Sequence, residues 1–342
     1  MKEVNVVIQT AFLGDLILSV PTLRRLKKIQ PHRQLALVCK KGLGNFLISE
    51  GLVDLVFEVE KSNRQSYAEA LNKLNALPLN NIYCIHKSFR SLLFSAQLNA
   101  KKKIGYNSFL GFWFFDEVVD FEPEQHEVLR QFKILETTDE ETRLNFFDEQ
   151  LLQLNNSGQK IPDYFSFKTA KNIKQNSNRV AIFPGSVWET KKWTEQGFAD
   201  LAVKLSAAGY KVDFLGAPQE LELCTRISEA AGVGEVLAGK YDIPTSLQKV
   251  REYDLVISND SAPTHMAAYQ NTPVLTIFGP TTSKMGFRPW SNNSEVVELD
   301  EMSCRPCGPH GHKVCPLKHH NCMKQITADV VFVKALDLLK KS

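Results

Sequence analysis

Four stretches of the chain set polar or charged side chains directly after a short apolar run, where an open α/β sheet meets its ligand. The first is Gln9-Thr10-Ala11-Phe12-Leu13-Gly14-Asp15. Gly14 lets a strand turn tightly into a helix, and Asp15 falls in the first helical turn, where a carboxylate is favoured. Such a group either caps the helix or serves as a general base for an attacking hydroxyl. The second runs from Phe183 through Pro184-Gly185-Ser186 to Lys191-Lys192-Trp193, with Thr194 placed to cap the next helix. The Gly185-Ser186 amides, the Ser186 hydroxyl and Lys191 suit a diphosphate that gains charge as it leaves. GxxxxGK[ST] is absent, so this is no P-loop, and Lys192 reads as a solvated surface charge. The third is Ser258-Asn259-Asp260-Ser261-Ala262-Pro263-Thr264-His265, where Asp260 or Ser261 is expected to cap a helix whose amides also suit phosphate or ribose oxygens. His265 falls on its first turn. The fourth, Phe278-Gly279-Pro280-Thr281-Thr282, offers threonine hydroxyls on a turn.

Cysteine supplies a fifth pattern. Cys304, Cys307, Cys315 and Cys322 lie within 19 residues, interspersed with His310, His312, His319 and His320. Seven cysteines in 342 residues make no secreted disulfide framework. The clustering points to a tetrahedral thiolate site for Zn²⁺, or iron in a rubredoxin-like arrangement; free thiols packing a small subdomain, or one or two disulfides formed after isolation, are the plainer alternative. A closed four-thiolate site leaves no position for substrate, so its expected role is folding or assembly.

These stretches need a scaffold of alternating strands and helices. Val4–Ile8, Leu35–Cys39 and Ile82–His86 read as strands, with helical spacing through Leu16, Val20, Leu23 and Leu26, then over Tyr67–Leu77 and Ser91–Leu98. The rhythm stops in the polar span Asn155–Asn178 and restarts with strands at Val180–Phe183, Val212–Leu215, Leu255–Ser258 and Val274–Phe278. Helices are expected at Thr194–Ala208, around Leu221–Ala230 and at Pro263–Tyr269. The expected class is α/β: two Rossmann-like domains, 1–160 and 175–325, facing a cleft. Residues 326–342 should add an amphipathic helix packing across the junction.

Forty-one Lys+Arg against 38 Asp+Glu give a formal charge of +3, so no dedicated nucleic-acid binder is expected. Neither a membrane span nor a signal peptide is evident, and a cytoplasmic location is expected. Lys87, Arg90 and Lys101-Lys102-Lys103 could bind an anionic partner, although an ordinary solvated face is the plainer reading. Tyr106–Phe115, with Phe109, Phe112, Trp113, Phe114 and Phe115, reads as a membrane-facing or acceptor-facing flap, a buried strand or a subunit contact.

Taken in order, Leu13-Gly14-Asp15 with Pro21 and Leu23, Pro184-Gly185-Ser186 with Lys191-Lys192-Trp193, Asn259-Asp260-Ser261 with His265, and Phe278-Gly279-Pro280-Thr281 resemble the heptosyltransferases of glycosyltransferase family 9. The resemblance implies a GT-B fold, an acceptor-binding amino-terminal domain, a donor-binding carboxy-terminal domain and inversion at the anomeric carbon. It implies Asp15 as base, Lys191 as the phosphate-binding lysine, and Gly14, Gly185, Ser186, Asp260, Ser261, Ala262, His265 and Thr281 around ADP-heptose. Lys87 and Arg90 would meet an anionic lipid-linked core oligosaccharide at the inner face of the inner membrane. No catalytic metal is expected, and the four cysteines would carry structural zinc or iron. Two positions depart from the family pattern: Ala262 replaces a common Gly, and Pro218 follows Gly216-Ala217 where an acidic ribose contact is expected. A protein hydroxyl or another surface glycan is the alternative acceptor. A nicotinamide-dependent oxidoreductase is disfavoured because no GxGxxG follows the first strand.

Overall fold

A computed structural model describes residues 2–108, 111–138, 161, 165–167, 177–300 and 302–341. The chain divides into two compact units, Met1–Ser157 and Gly158–Ser342. Most of the polar span Asn155–Asn178 lies outside the described residues, as does Phe109.

The first unit holds strands β1 (Val4–Gln9), β2 (Gln34–Lys40), β3 (Leu55–Val59), β4 (Leu79–Cys84), β5 (Lys102–Tyr106) and β6 (Glu117–Val119) in one sheet of order β3-β2-β1-β4-β5-β6. The second repeats that arrangement with β7 (Arg179–Phe183), β8 (Lys211–Phe214), β9 (Glu235–Val236), β10 (Leu255–Asn259), β11 (Val274–Ile277) and β12 (Ser294–Val297), ordered β12-β11-β10-β7-β8-β9. Every described pairing is parallel. In each unit the order reverses beside the first strand, between β1 and β4 and between β7 and β10. That reversal opens a crevice at the strands' carboxyl ends.

Burial explains the central strands. Val4, Val6, Ile8, Ala36, Val38, Ile82 and Cys84 form one core, and Val180, Ile182, Val212, Phe214, Leu255, Ile257, Leu275 and Ile277 the other. Both faces are covered, so these strands read as continuous apolar runs. The terminal helix Ala328–Lys341 adds Val331, Ala335 and Leu338 to the second core.

The single helical run expected through Leu16–Leu26 is two helices, Leu13–Leu18 and Val20–Ile29, parted at Ser19. Pro21 has no N–H for the ladder and its ring crowds the preceding turn. Ser19 repairs the break, its hydroxyl donating to the Asp15 carbonyl at 2.9 Å. Within Tyr106–Phe115, Gly111–Phe114 is a short helix rather than a buried strand, with Phe112 and Trp113 exposed. Lys101 and Lys102 pair with Glu3 and Glu117, and Lys103 donates to the Ala96 carbonyl at 2.9 Å. These lysines fasten a strand and its surroundings instead of forming an open basic face. Among the described residues no helix is long and apolar enough to cross a membrane.

Candidate active site

At the β7/β10 reversal the second unit draws three of the sequence-derived residues together. Lys191 Nζ lies 2.5 Å from Asp260 Oδ2, and the Thr281 hydroxyl donates to the same oxygen at 2.7 Å. Asp260 is buried and Lys191 largely so, their side chains 6% and 13% exposed, so each depends on the other for compensation. Asn259 joins the loops beneath them. Its side-chain NH₂ donates to the carbonyls of Pro184 (2.8 Å) and Gly185 (3.4 Å), while its side-chain oxygen accepts the Trp193 N–H at 2.9 Å.

Asp260 is therefore not the expected helix cap. Ser261 takes the N-cap position of the helix Ala262–Gln270 without a capping side-chain bond; the Ser261 hydroxyl donates back to the Asn259 carbonyl at 3.3 Å. The ion pair with Lys191 and the Thr281 hydroxyl hold Asp260's carboxylate instead. Ala262 is the first helical residue, so its methyl stands at an uncapped start suited to an anion. His265 is buried, and burial lowers its pKa to about 4, against the opposing pull of Asp260. Its Nδ1 has no partner among the described residues. Ser186 accepts the Trp188 N–H at 3.3 Å, shaping the turn after β7. Lys192 pairs with Glu189 at 2.6 Å, the surface role expected of it.

Sequence reasoning missed Glu220. Its carboxylate accepts the Ala217 N–H at 2.8 Å and fills the space beside Gly185, where an added Cβ would stand 1.7 Å from Glu220 Oε1. Burial raises its pKa. It supplies an acid at the ends of β7 and β8, two residues beyond Pro218. A glycine after a strand followed four residues later by Glu was the available signal.

In the first unit, Asp15 is half-buried, with one carboxylate oxygen accepting the Phe12 N–H at 3.3 Å. The capping reading is thus realised, and it orients the carboxylate. Gly14 is buried in the same turn. A second missed group occupies the β1/β4 reversal: His86 Nδ1 lies 2.9 Å from both the Thr10 and Ser91 hydroxyls and 3.3 Å from that of Ser88. Burial lowers the His86 pKa to about 4, with the Lys61 charge adding to the effect. Lys87 and Arg90 point to different neighbours. Lys87 Nζ sits 3.3 Å from the Phe121 ring centre, which Arg130 also overlies at 4.9 Å, whereas Arg90 lies over Tyr67 at 5.8 Å. Arg130, ion-paired to buried Glu127 at 2.9 Å, went unnoticed in the sequence.

The Cys-rich segment packs on the second unit. Burial, with the neighbouring thiols adding to it, raises the pKa of Cys307 and takes that of Cys322 to about 11. Cys315 goes the other way: the backbone N–H groups of His320, Leu317, His319 and Lys318 favour its thiolate over the opposing desolvation. Among the described residues no three His, Cys, Asp or Glu side chains are arranged to hold a metal ion.

Comparison with known proteins gives the family and the fold. The chain is 28% identical over 338 residues to lipooligosaccharide heptosyltransferase 2 of Campylobacter jejuni, covering 97% of each. Its fold matches the E. coli ADP-heptose LPS heptosyltransferase II with a TM-score of 0.74 at 19% identity, over 100% of this chain and 99% of that one. It also matches the iron-containing dodecameric glycosyltransferase TibC of enterotoxigenic E. coli, with a TM-score of 0.58 at 16% identity, over 100% of this chain and 77% of TibC. The model of glycosyltransferase family 9 (heptosyltransferase) matches residues 72–320, and the chain belongs to that family of glycosyltransferases.

Proposed function

We propose that the chain transfers heptose from ADP-heptose to an inner-core lipopolysaccharide acceptor by direct, inverting displacement. The observation that carries this is the buried Lys191–Asp260–Thr281 cluster at the β7/β10 reversal, beside an uncapped helix start. A diphosphate arriving there meets a cation already desolvated and held, so little reorganisation is needed as negative charge grows on it. The Gly185 and Ser186 amides line the same strand end, and Glu220 is placed to accept ribose hydroxyls. Neutral His265 adds no charge beside them.

Asp15 takes the acceptor hydroxyl's proton while that oxygen attacks the anomeric carbon from the face opposite ADP. Its hydrogen bond from Phe12 fixes one oxygen and orients the other. Lys87, Arg90 and Arg130 are cations of the first unit suited to an acceptor's carboxylates and phosphates. We place the enzyme in the cytoplasm, meeting its lipid-linked acceptor at the inner membrane surface.

The four cysteines are proposed to hold structural zinc or iron. The spacing of four cysteines within 19 residues supports this, since thiolates are the ligands such a metal requires. The similarity to the iron-containing glycosyltransferase TibC sets iron beside zinc as the metal. Such a metal would brace the segment and take no part in transfer.

Incubation of the purified chain with ADP-heptose and a heptose-deficient core acceptor should release ADP and extend the acceptor. ADP should raise the melting temperature more than UDP, GDP or NAD. Stabilisation by NAD alone, with no transfer, would refute the proposal. Elemental analysis reads the metal directly.

A further inference from the structure

The two turns that supply Asp260's partners are both fastened by the Cys-rich segment. Immediately before Lys191, the Thr190 N–H and hydroxyl both donate to the His312 carbonyl at 3.0 Å. The His312 N–H returns a bond to the Thr190 hydroxyl at 2.7 Å, and His320 Nε2 donates to the Thr190 carbonyl at 2.7 Å. Every polar group of buried Thr190 is therefore held by a segment more than a hundred positions away. Gly311 approaches so closely that a Cβ there would stand 2.7 Å from Trp188 Cβ and 3.0 Å from Lys191 Cγ. At the second turn, the Cys307 N–H donates to the Pro280 carbonyl at 2.9 Å. Arg305, paired with Glu298 at 2.8 Å, donates to the carbonyls of Gly279 and Thr281.

We propose that segment 304–322 is the positioning device of the diphosphate grip: His312 and His320 act through Thr190 on Lys191, and Arg305 acts on the turn of Thr281. The inference rests on the donor reading given above. Buried hydrogen bonds act over short distances and in fixed directions, so four bonds on one residue fix where the next side chain starts. Lys191 is long and flexible, and a turn free to shift would let its ammonium follow Asp260 away from a ligand. None of the four positioning groups needs to touch the nucleotide.

Calorimetric titration of the full chain with ADP and, separately, with adenosine tests this. Thr190→Val keeps the volume, removes the hydroxyl and lies outside the Cys-rich segment; His320→Ala removes one donor, and His320→Gln offers another. Thr190→Val and His320→Ala should each weaken ADP about tenfold, the worth of one buried hydrogen bond, and leave adenosine binding unchanged. His320→Gln should recover most of the loss, and the donor KM should rise more than kcat falls. Should His320→Ala fail to fold, Thr190→Val decides the matter. ADP binding that disappears in Lys191→Ala but stays at wild-type strength in Thr190→Val and His320→Ala would overturn this inference alone. Equal weakening of ADP and adenosine would also overturn it, since the damage would then be general. A wild-type chain that binds no ADP would overturn the donor reading with it.

Discussion

The same strand order builds a crevice in each unit, yet the two are furnished with opposite chemistry. At the β1/β4 reversal an uncharged imidazole sits among the hydroxyls of Thr10, Ser88 and Ser91. At the β7/β10 reversal a largely covered lysine faces a buried aspartate. Topology thus decides where a ligand lies, and the residues just past each strand decide which ligand. A hydroxyl-lined crevice suits a sugar; a compensated cation suits a diphosphate.

The sharpest way to break the contrast is Lys191→Ala, which strands a buried carboxylate. Unfolding in urea should show a loss of about 3 kcal/mol, and ADP affinity should fall with it. The double variant Lys191→Met with Asp260→Asn should regain most of the stability without the affinity. In the first unit, Asp15→Asn keeps an acceptor for the Phe12 amide, so stability and ADP binding should stay near wild type while kcat drops about 10³-fold. Wild-type turnover in that variant would remove Asp15 from the chemistry.

Gly185→Ala sets a methyl against Glu220 and should cost about 2 kcal/mol in denaturant titrations, relieved when Glu220→Ala is added. The smallest effect tests what the crevices share. His86 and His265 both titrate near 4 when folded, below the ordinary 6.5 of the unfolded chain. As pH falls from 6.5 the unfolded state takes protons first, so stability declines toward pH 4. Each histidine contributes on the order of 1 kcal/mol to that decline at pH 5. His86→Gln and His265→Gln should each flatten the melting temperature between pH 7 and 5 by a similar amount. A slope left intact by both would show that other groups govern acid sensitivity.

The central strands were legible because burial on both faces demands unbroken apolar residues, as in Val4–Ile8 and Val180–Phe183. The outer strands were not. Glu117 in β6 and Glu235 in β9 break the pattern, since charges suit an edge strand with solvent beside it, and Lys102 and Lys103 do the same in β5, the strand next to that edge. At the site, the positions of Lys191, Asp260 and Thr281 after strands drew attention to each. Their meeting on one carboxylate oxygen is a tertiary fact that spacing does not encode. Asp260 looked like a cap because its local sequence offers one, and a partner 69 positions away outcompeted the helix amides. Glu220 escaped notice behind Pro218, and His86 was read as the tail of a strand that ends at Cys84.

Asn259 carries a chemical vulnerability of its own. Its NH₂ faces two carbonyls and its oxygen faces an amide, so only the carboxamide, in one orientation, satisfies all three. Deamidation there, whether by slow hydrolysis or by Asn259→Asp, would turn both donated bonds into repulsions and set a second carboxylate beside Asp260. A preparation that ages by this route would gain one negative charge and lose its nucleotide while its secondary structure stayed intact.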